Sequence, residues 1–257
     1  MKEAIKISFV VPAYNEEVCL PRTLEAIIAE VKRSQCAAEI IVVNNASTDK
    51  TRLTAEAYPG IVVIDEAVKG LVRARSAGYH AATGDLVANI DADTIITEGW
   101  IDTVQRAFVA SPELVAMSGP LIYYDLPKHT RALVRAFYCG GYVCYLLNRY
   151  VLRVGSMMQG GNFVVRRDAL ARIGGFNPDF EFYGEDTELA RRLSKVGGVD
   201  FTFSLPALSS GRRLLGEGVA RIGLRYAMNF FWATFLKKPF TETWLDFRDQ
   251  PQKPATW

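Results

Sequence analysis

Over its first 120 residues the sequence alternates between short, nearly all-apolar runs and stretches where apolar residues recur every three or four positions. That alternation confines the chain to few folds. Ile5-Lys6-Ile7-Ser8-Phe9-Val10-Val11 is a β-rich run closed by Pro12, and Glu17 to Arg33 carries Leu20, Leu24, Ile27, Ile28 and Val31 at helical spacing. Glu39 to Val43 reads as a second strand ending at Asn44. Ser47-Thr48-Asp49 then offers side-chain oxygens to the unpaired N–H groups of a helix start. Ile61 to Ile64 and Leu86 to Ile90 read as further strands on either side of a helix from Leu71 to Ala82; Trp100 to Val109 is helical and Leu114 to Met117 extended. Several of these strands lack polar alternation, so both faces must be covered. The expected class is α/β, with a mostly parallel sheet flanked by helices. In such sheets ligands bind beyond the carboxyl ends of the strands. Tyr14-Asn15-Glu16, Asn44-Asn45 and Asp91-Ala92-Asp93 stand there, after the first, second and fourth strands.

Composition narrows the partners. Apolar residues make up 49% of the 257 and charged residues 23%, an ordinary globular balance that can bury a full core. A net charge of +2 with scattered Lys and Arg argues against nucleic acid. Met1 to Lys6 runs straight into a strand, without the pattern of a signal peptide. The cysteines at 19, 36, 139 and 144 form no CxxC pair and lie near no histidine, so reduced, partly buried thiols in a cytosolic protein are expected. The longest uncharged stretch in the middle of the chain, Ala136 to Asn148, has 13 residues, against the roughly 20 that span a bilayer. Ala136 to Leu152 and Leu214 to Leu236 are nonetheless rich in Tyr, Phe and Trp with flanking Arg and Lys. Such segments can lie at a membrane interface, be buried, or form a homodimer contact; burial is the expectation for the first. Pro239, Pro251 and Pro254 mark an irregular tail.

Two acidic groups carry the chemistry. In an extended Asp91-Ala92-Asp93 the carboxylates, two residues apart, would address one region, one binding a divalent cation and the other a sugar hydroxyl or water. Oxygen-only ligands favour Mg²⁺ or Mn²⁺, which keep waters and take substrate phosphates. Alone the triplet is an ordinary acidic loop; its place after an apolar strand gives it weight. Gly184-Glu185-Asp186 opens a helix running to Val196. Leu189, Ala190, Leu193 and Val196 share the face of Asp186, whereas Glu188, Arg191, Arg192 and Lys195 fall on the other, where Glu188 and Arg192 can pair. Asp186 therefore points toward the body and its neighbours toward water, and the helix N-terminus favours its ionised form. Without other support the pair would simply suit a first turn. Lys69-Gly70 with Arg73 and Arg75, and Arg212-Arg213 after Ser209-Ser210-Gly211, could set cations near a diphosphate or be solvated basic residues. Gly160-Gly161 permits close backbone approach or a plain turn. His80 and His129 are isolated and receive no role.

Taken in order, these segments resemble the family 2 glycosyltransferases, nucleotide-diphospho-sugar transferases of the GT-A fold. The matching series is Val10 to Glu17, Asn44 to Asp49, Gly70 to Gly84 with Ala74-Arg75, Asp91-Ala92-Asp93, Gly160-Gly161-Asn162, Gly174-Gly175-Phe176 and Gly184-Glu185-Asp186, covering roughly residues 5 to 213. The resemblance implies that Pro12, Ala13, Tyr14, Glu16 and Asn45 line the nucleoside pocket and that Arg75 lies near the base or phosphates. It further implies that Asp91 contacts the ribose, with Ala92 beside it, and that Asp93 holds Mg²⁺ or Mn²⁺ on the diphosphate. Asn162 would adjoin the sugar or acceptor, Glu185 and Arg212 would complete the donor site, and Asp186 would be the catalytic base.

A UDP- or GDP-sugar donor and a glycan or lipid-linked acceptor are implied, with inversion at the anomeric carbon. The implied place is cytoplasmic or peripheral at the inner face of the cell membrane. The sequence departs from the family in carrying Asn44-Asn45 where two aspartates often stand, which leaves the base open. No histidine follows His129 to complete a metal shell, and the Gln-x-x-Arg-Trp pattern of processive members is absent. The expected organisation is a GT-A domain over 1–213, with a nucleotide-binding half to about 120 and an acceptor half from 121, followed by a helical appendage and tail over 214–257. A sugar nucleotidyltransferase would carry a Gly-rich basic loop where Pro12 to Glu16 stand. A non-catalytic binding module would have no need of both Asp93 and Asp186.

Overall fold

The computed structural model describes residues 5–152 and 156–241. In chain order the elements are β1 (Ile7–Ala13), α1 (Leu20–Ser34), β2 (Ala38–Asn45), α2 (Thr51–Glu56), β3 (Ile61–Glu66), α3 (Leu71–Ala81), β4 (Leu86–Ile90), β5 (Thr94–Ile96), α4 (Trp100–Ala110), β6 (Leu114–Ser118) and β7 (Leu121–Tyr123). There follow α5 (Lys128–Leu146), continued as a π-helix over Leu147–Leu152, then β8 (Asn162–Arg166), α6 (Arg167–Arg172), α7 (Glu185–Leu193), β9 (Gly198–Phe201), β10 (Ala207–Ser209) and α8 (Arg212–Glu217). Last comes α9 (Val219–Phe231), continued as a π-helix over Trp232–Leu236.

Seven strands form one sheet in the order β3-β2-β1-β4-β8-β6-β9. The first four are parallel, as their apolar runs predict; β8 is inserted antiparallel to both β4 and β6. Both faces are buried. Ile7, Phe9, Val11 and Ala13 of β1 pack with α1 and α4 on one side, and Val10 packs with Val43, Val72 and Ala74 on the other. Gly78 of α3 makes that second contact close, since a Cβ there would collide with Val10.

Several boundaries moved, among them the end of α7, which stops at Leu193 and not Val196; two have clear local reasons. β1 runs past Pro12 to Ala13, because its ladder with β4 has already ended at Val10 and Pro12 need donate no N–H on that side. α1 starts at Leu20, not Glu17, with Pro21 in its first turn after a turn closed on the Glu16 carbonyl.

The antiparallel strand is what gathers the site. Because β8 opposes β4, with Asn162 against Ile90, its leading residues Gly160-Gly161 arrive at the edge where β4 ends in Asp91. A second, three-stranded sheet in the order β5-β10-β7 carries residues 209–212 over the same edge. Strands of three residues leave too short a pattern to be read, and none of these three was expected.

Asp91-Ala92-Asp93 is not extended. The Thr94 amide donates to the Asp91 carbonyl at 2.9 Å, so the triplet is a tight turn between β4 and β5. The expected burial of Ala136 to Leu152 is also not observed: only Tyr145 and Asn148 are buried there. The end of the expected tail, from residue 242, lies outside the described residues.

Candidate active site

Arg75 is the centre of the site. Projecting from α3, its guanidinium is completely buried, donates to Asp91 Oδ1 at 3.0 Å, and pairs through Nη1 with Glu185 Oε1. Phe163 lies beneath it, 5.3 Å from ring centroid to Cζ. A cation so buried persists only when its charge is met, and two carboxylates from distant segments meet it. They hold Arg75 protonated, above its ordinary range. Burial pushes the Glu185 carboxyl up, against the pull of Arg75. The expectation that Asp186's helix neighbours face water is thus corrected at Glu185. It is corrected again at Glu188, which is buried: it accepts from Arg192 Nε at 2.7 Å, while Arg192 Nη1 donates to the Ile173 and Gly175 carbonyls. The loop after α6 covers that face.

Asp186 stands at the start of α7, half-buried at the cleft floor. Its Oδ2 accepts from the Gly160 amide at 3.0 Å and its Oδ1 from the Thr187 amide at 2.7 Å. Burial raises its pKa, against the lowering effect of these two amides and of Arg75. Oδ1 also accepts from the Thr187 hydroxyl at 3.3 Å, so it is Oδ2 that keeps a lone pair for a further partner. Gly161, at φ +80°, runs against Asp91, and a Cβ there would overlap the Asp91 carboxylate. Gly161→Ala is expected to cost about 1–3 kcal/mol through backbone strain and that clash; unchanged chemical-denaturation stability would contradict this.

The other side of the turn faces Arg212. Its guanidinium donates to Glu16 Oε2 at 3.1 Å, pairs with Glu16 Oε1, and reaches Asp93 Oδ2 at 3.0 Å. The turn thus splits its two carboxylates, Asp91 toward Arg75 and Asp93 toward Arg212. Among the described residues, no group of three or more His, Cys, Asp or Glu side chains could enclose a metal ion. Asp93 and Glu16 nevertheless present hard oxygen donors whose charge draws a cation, since Arg212 already lies on both. That donor set fits an ion of the Mg²⁺ type that takes its remaining ligands from phosphate and water.

Two predicted residues are fully engaged with the protein itself. Asn162 is completely buried; its Nδ2 donates to the Gly119 and Leu205 carbonyls and its Oδ1 accepts from Trp100 Nε1. Asn45 donates to the Glu66 and Val68 carbonyls and accepts from the Gly70 amide, pinning the loop before α3. Beside that loop a small recess is walled by Pro12, Ala13, Tyr14, Asn45 and Leu71, with Lys69 Nζ 3.6 Å above the Tyr14 ring. Sequence reasoning missed Phe182, which borders this recess and stacks under Arg213 at 4.2 Å. Its only signal is its place just before Gly184-Glu185-Asp186.

The two acid-and-arginine clusters and Asp186 open into one cleft of about 760 Å³. Its floor holds Glu16, Arg75, Asp91, Ala92, Asp93, Glu185, Asp186 and Arg212, and its far half is apolar, built by α5 and α9.

Comparison with known proteins identifies the family and the fold. The model of glycosyl transferase family 2 matches residues 8–174, more than half the chain. The chain belongs to that family. A second model, described as the N-terminal domain of galactosyltransferase, matches residues 149–209. Among the relatives of this family 2 chain, the probable glycosyltransferase YdaM of Bacillus subtilis is 28% identical over 212 residues, 77% of this chain and 48% of YdaM. The dolichyl-phosphate beta-glucosyltransferase ALG5D of Trichomonas vaginalis is 38% identical over 148 residues, 52% of this chain and 45% of that protein. The chain thus spans about half the length of these relatives. The mannosyltransferase PcManGT of Pyrobaculum calidifontis, solved with GDP-Man and Mn²⁺, superposes with a TM-score of 0.66 at 20% identity, covering 92% of this chain and 66% of its own. The fold is GT-A, as the resemblance implied.

Proposed function

We propose that this family 2 chain transfers a sugar from a nucleoside-diphosphate donor to an acceptor hydroxyl, with inversion. The observation that carries the reading is one cleft in which a base-competent carboxylate, Asp186, stands beside the acid-and-arginine cluster at the ends of β1 and β4. Asp186 accepts the proton of the acceptor hydroxyl as that oxygen bonds to the anomeric carbon. The bond from the anomeric carbon to phosphate oxygen breaks in the same displacement, and its electron pair leaves with the nucleoside diphosphate. Attack from the face opposite the leaving group inverts the centre.

Asp93, with Glu16 close by, would hold Mg²⁺ or Mn²⁺, which when bound neutralises charge on the diphosphate. Arg212 and Arg213, carried on the start of α8 at the cleft, supply further positive charge for the leaving group. The nucleoside would lie over the wall that Tyr14 forms beside the cleft, with Asn45 keeping that wall in place and not contacting the base. Asn162 braces the turn of β8 from behind. The acceptor proposed is a hydroxyl on a glycan or lipid-linked carrier; one relative's name specifies dolichyl phosphate for that protein.

Calorimetric titration of UDP- and GDP-sugars with and without Mn²⁺ tests the donor side. Asp93→Ala is expected to weaken the metal-dependent part of donor binding about tenfold or more. Equal affinities for wild type and variant in Mn²⁺ would remove Asp93 from the metal site.

A further inference from the structure

The helices that wall the apolar half of the cleft also present an uncovered outer surface. α5 with its π-helical continuation touches the body mainly through Val134, Tyr138, Tyr142, Tyr145 and Asn148, leaving Leu133, Val143, Tyr150 and Val151 exposed, the last at 68%. On α9 and its continuation Leu224, Phe231, Phe235 and Leu236 are likewise exposed. A helix apolar on nearly all sides is not stable facing water alone and calls for a cover.

Charge selects the cover. Residues 128–152 and 219–238 together contain eight Lys and Arg and no Asp or Glu, in a chain with 30 of the one and 28 of the other. Arg149 pairs with Asp200 and Arg225 with Glu217. The other six, Lys128, Arg131, Arg135, Arg221, Lys237 and Lys238, are exposed and form no ion pair among the described residues. A two-fold contact with a second copy would set this surface against itself, cation to cation. An anionic bilayer surface offers both what the apolar side chains and what the cations lack. No helix among the described residues is long and apolar enough to cross a membrane, so the contact lies in the interface plane.

We propose that α5 and α9, with their π-helical ends, dock the protein on an anionic phospholipid surface, with the apolar mouth of the cleft facing the lipid. The mouth is fixed by residues that both line the cleft and stand exposed: Phe137, Leu147 and Leu152 on one helix, Phe231 and Phe235 on the other. An acceptor held in the bilayer would then enter between the two helices without crossing water. The docking surface does not depend on the catalytic assignment, and the two are read separately.

The full chain is sedimented with vesicles of phosphatidylcholine alone and of phosphatidylcholine with phosphatidylglycerol. Partition to the anionic vesicles is expected to exceed that to neutral ones by about tenfold or more, and to fall with added salt. The pairs Arg131→Glu/Arg135→Glu and Val143→Glu/Val151→Glu, none of which lines the cleft, should each lower it by about tenfold or more. Their thermal stabilisation by nucleotide sugar with Mn²⁺ should match wild type, which also shows that they fold. The proposal is overturned if wild type stays in the supernatant with anionic vesicles, or if both variant pairs sediment like wild type. It is equally overturned if sedimentation velocity finds a dimer that Val143→Glu/Val151→Glu dissociates.

Discussion

Asp186→Asn is expected to lower the rate of sugar transfer by about 10²–10⁴-fold while the donor still binds. On the proposed assignment the acceptor hydroxyl would lose the group that takes its proton, whereas the cluster proposed to meet the diphosphate is untouched. Because both oxygens of Asp186 accept from backbone amides, an asparagine must turn its own NH₂ toward either Gly160 or Thr187. A loss of about 1 kcal/mol in stability should accompany the kinetic loss, too small to explain it. Single-turnover transfer and donor titration on the same preparation separate the two, and turnover near the wild-type rate would remove Asp186 as the base. The pH profile gives a second reading. Burial raises the pKa of Asp186, and the base acts only when ionised. Transfer should therefore rise with pH through that raised value and level off above it, its acid limb lying higher than for an ordinary aspartate. An acid limb at or below the ordinary aspartate range would count against the assignment.

Arg75→Met should unfold more easily by about 3–5 kcal/mol. Removing the guanidinium leaves the buried Glu185 without its partner and frees Asp91, the case in which breaking a buried ion pair is most damaging. Arg75→Lys should recover only part of this, since one ammonium cannot reach both carboxylates as the fork does. Combining Arg75→Met with Glu185→Leu should restore much of the stability, because no buried charge is then stranded. Equilibrium denaturation of the four proteins reads all of this. A loss below about 1 kcal/mol in Arg75→Met would mean that the pair is not the brace described.

The two predictions bear on different layers of one site. Arg75 ties the end of β4 to the start of α7, so under the proposed function it would act on the donor side and on the base through structure, not through chemistry of its own. A variant that folds but keeps only part of this tie, such as Arg75→Lys, should alter the affinity for donor and the rate together. Asp186→Asn should alter the rate alone.

Much of the frame is written locally. β1, β2, β4, α1 and α3 are each legible from the spacing of their own apolar residues, since burial on one or both faces leaves a period of 3.6 or an unbroken apolar run. The rule that ligands gather at the carboxyl ends of parallel strands then directs attention to Asp91 and Asp93, which the folded chain sets on the cleft at the end of β4. Gly184-Glu185-Asp186 is likewise visible as a helix start.

The contacts that make a site of these pieces are a different matter. Arg75 and Glu185 are 110 residues apart and Arg212 and Glu16 are 196 apart, and no local pattern encodes either pair. They meet because β8 runs backward beside β4 and because a small second sheet returns the chain over the same edge. Tertiary structure also turned the Asp-x-Asp triplet so that its acids face different arginines, and left α5 uncovered where its composition suggested a core. Side-chain period is a property of one segment meeting one surface, and the sequence by itself determines that much. Which surface it meets depends on strand order and direction, and only the folded chain decides them.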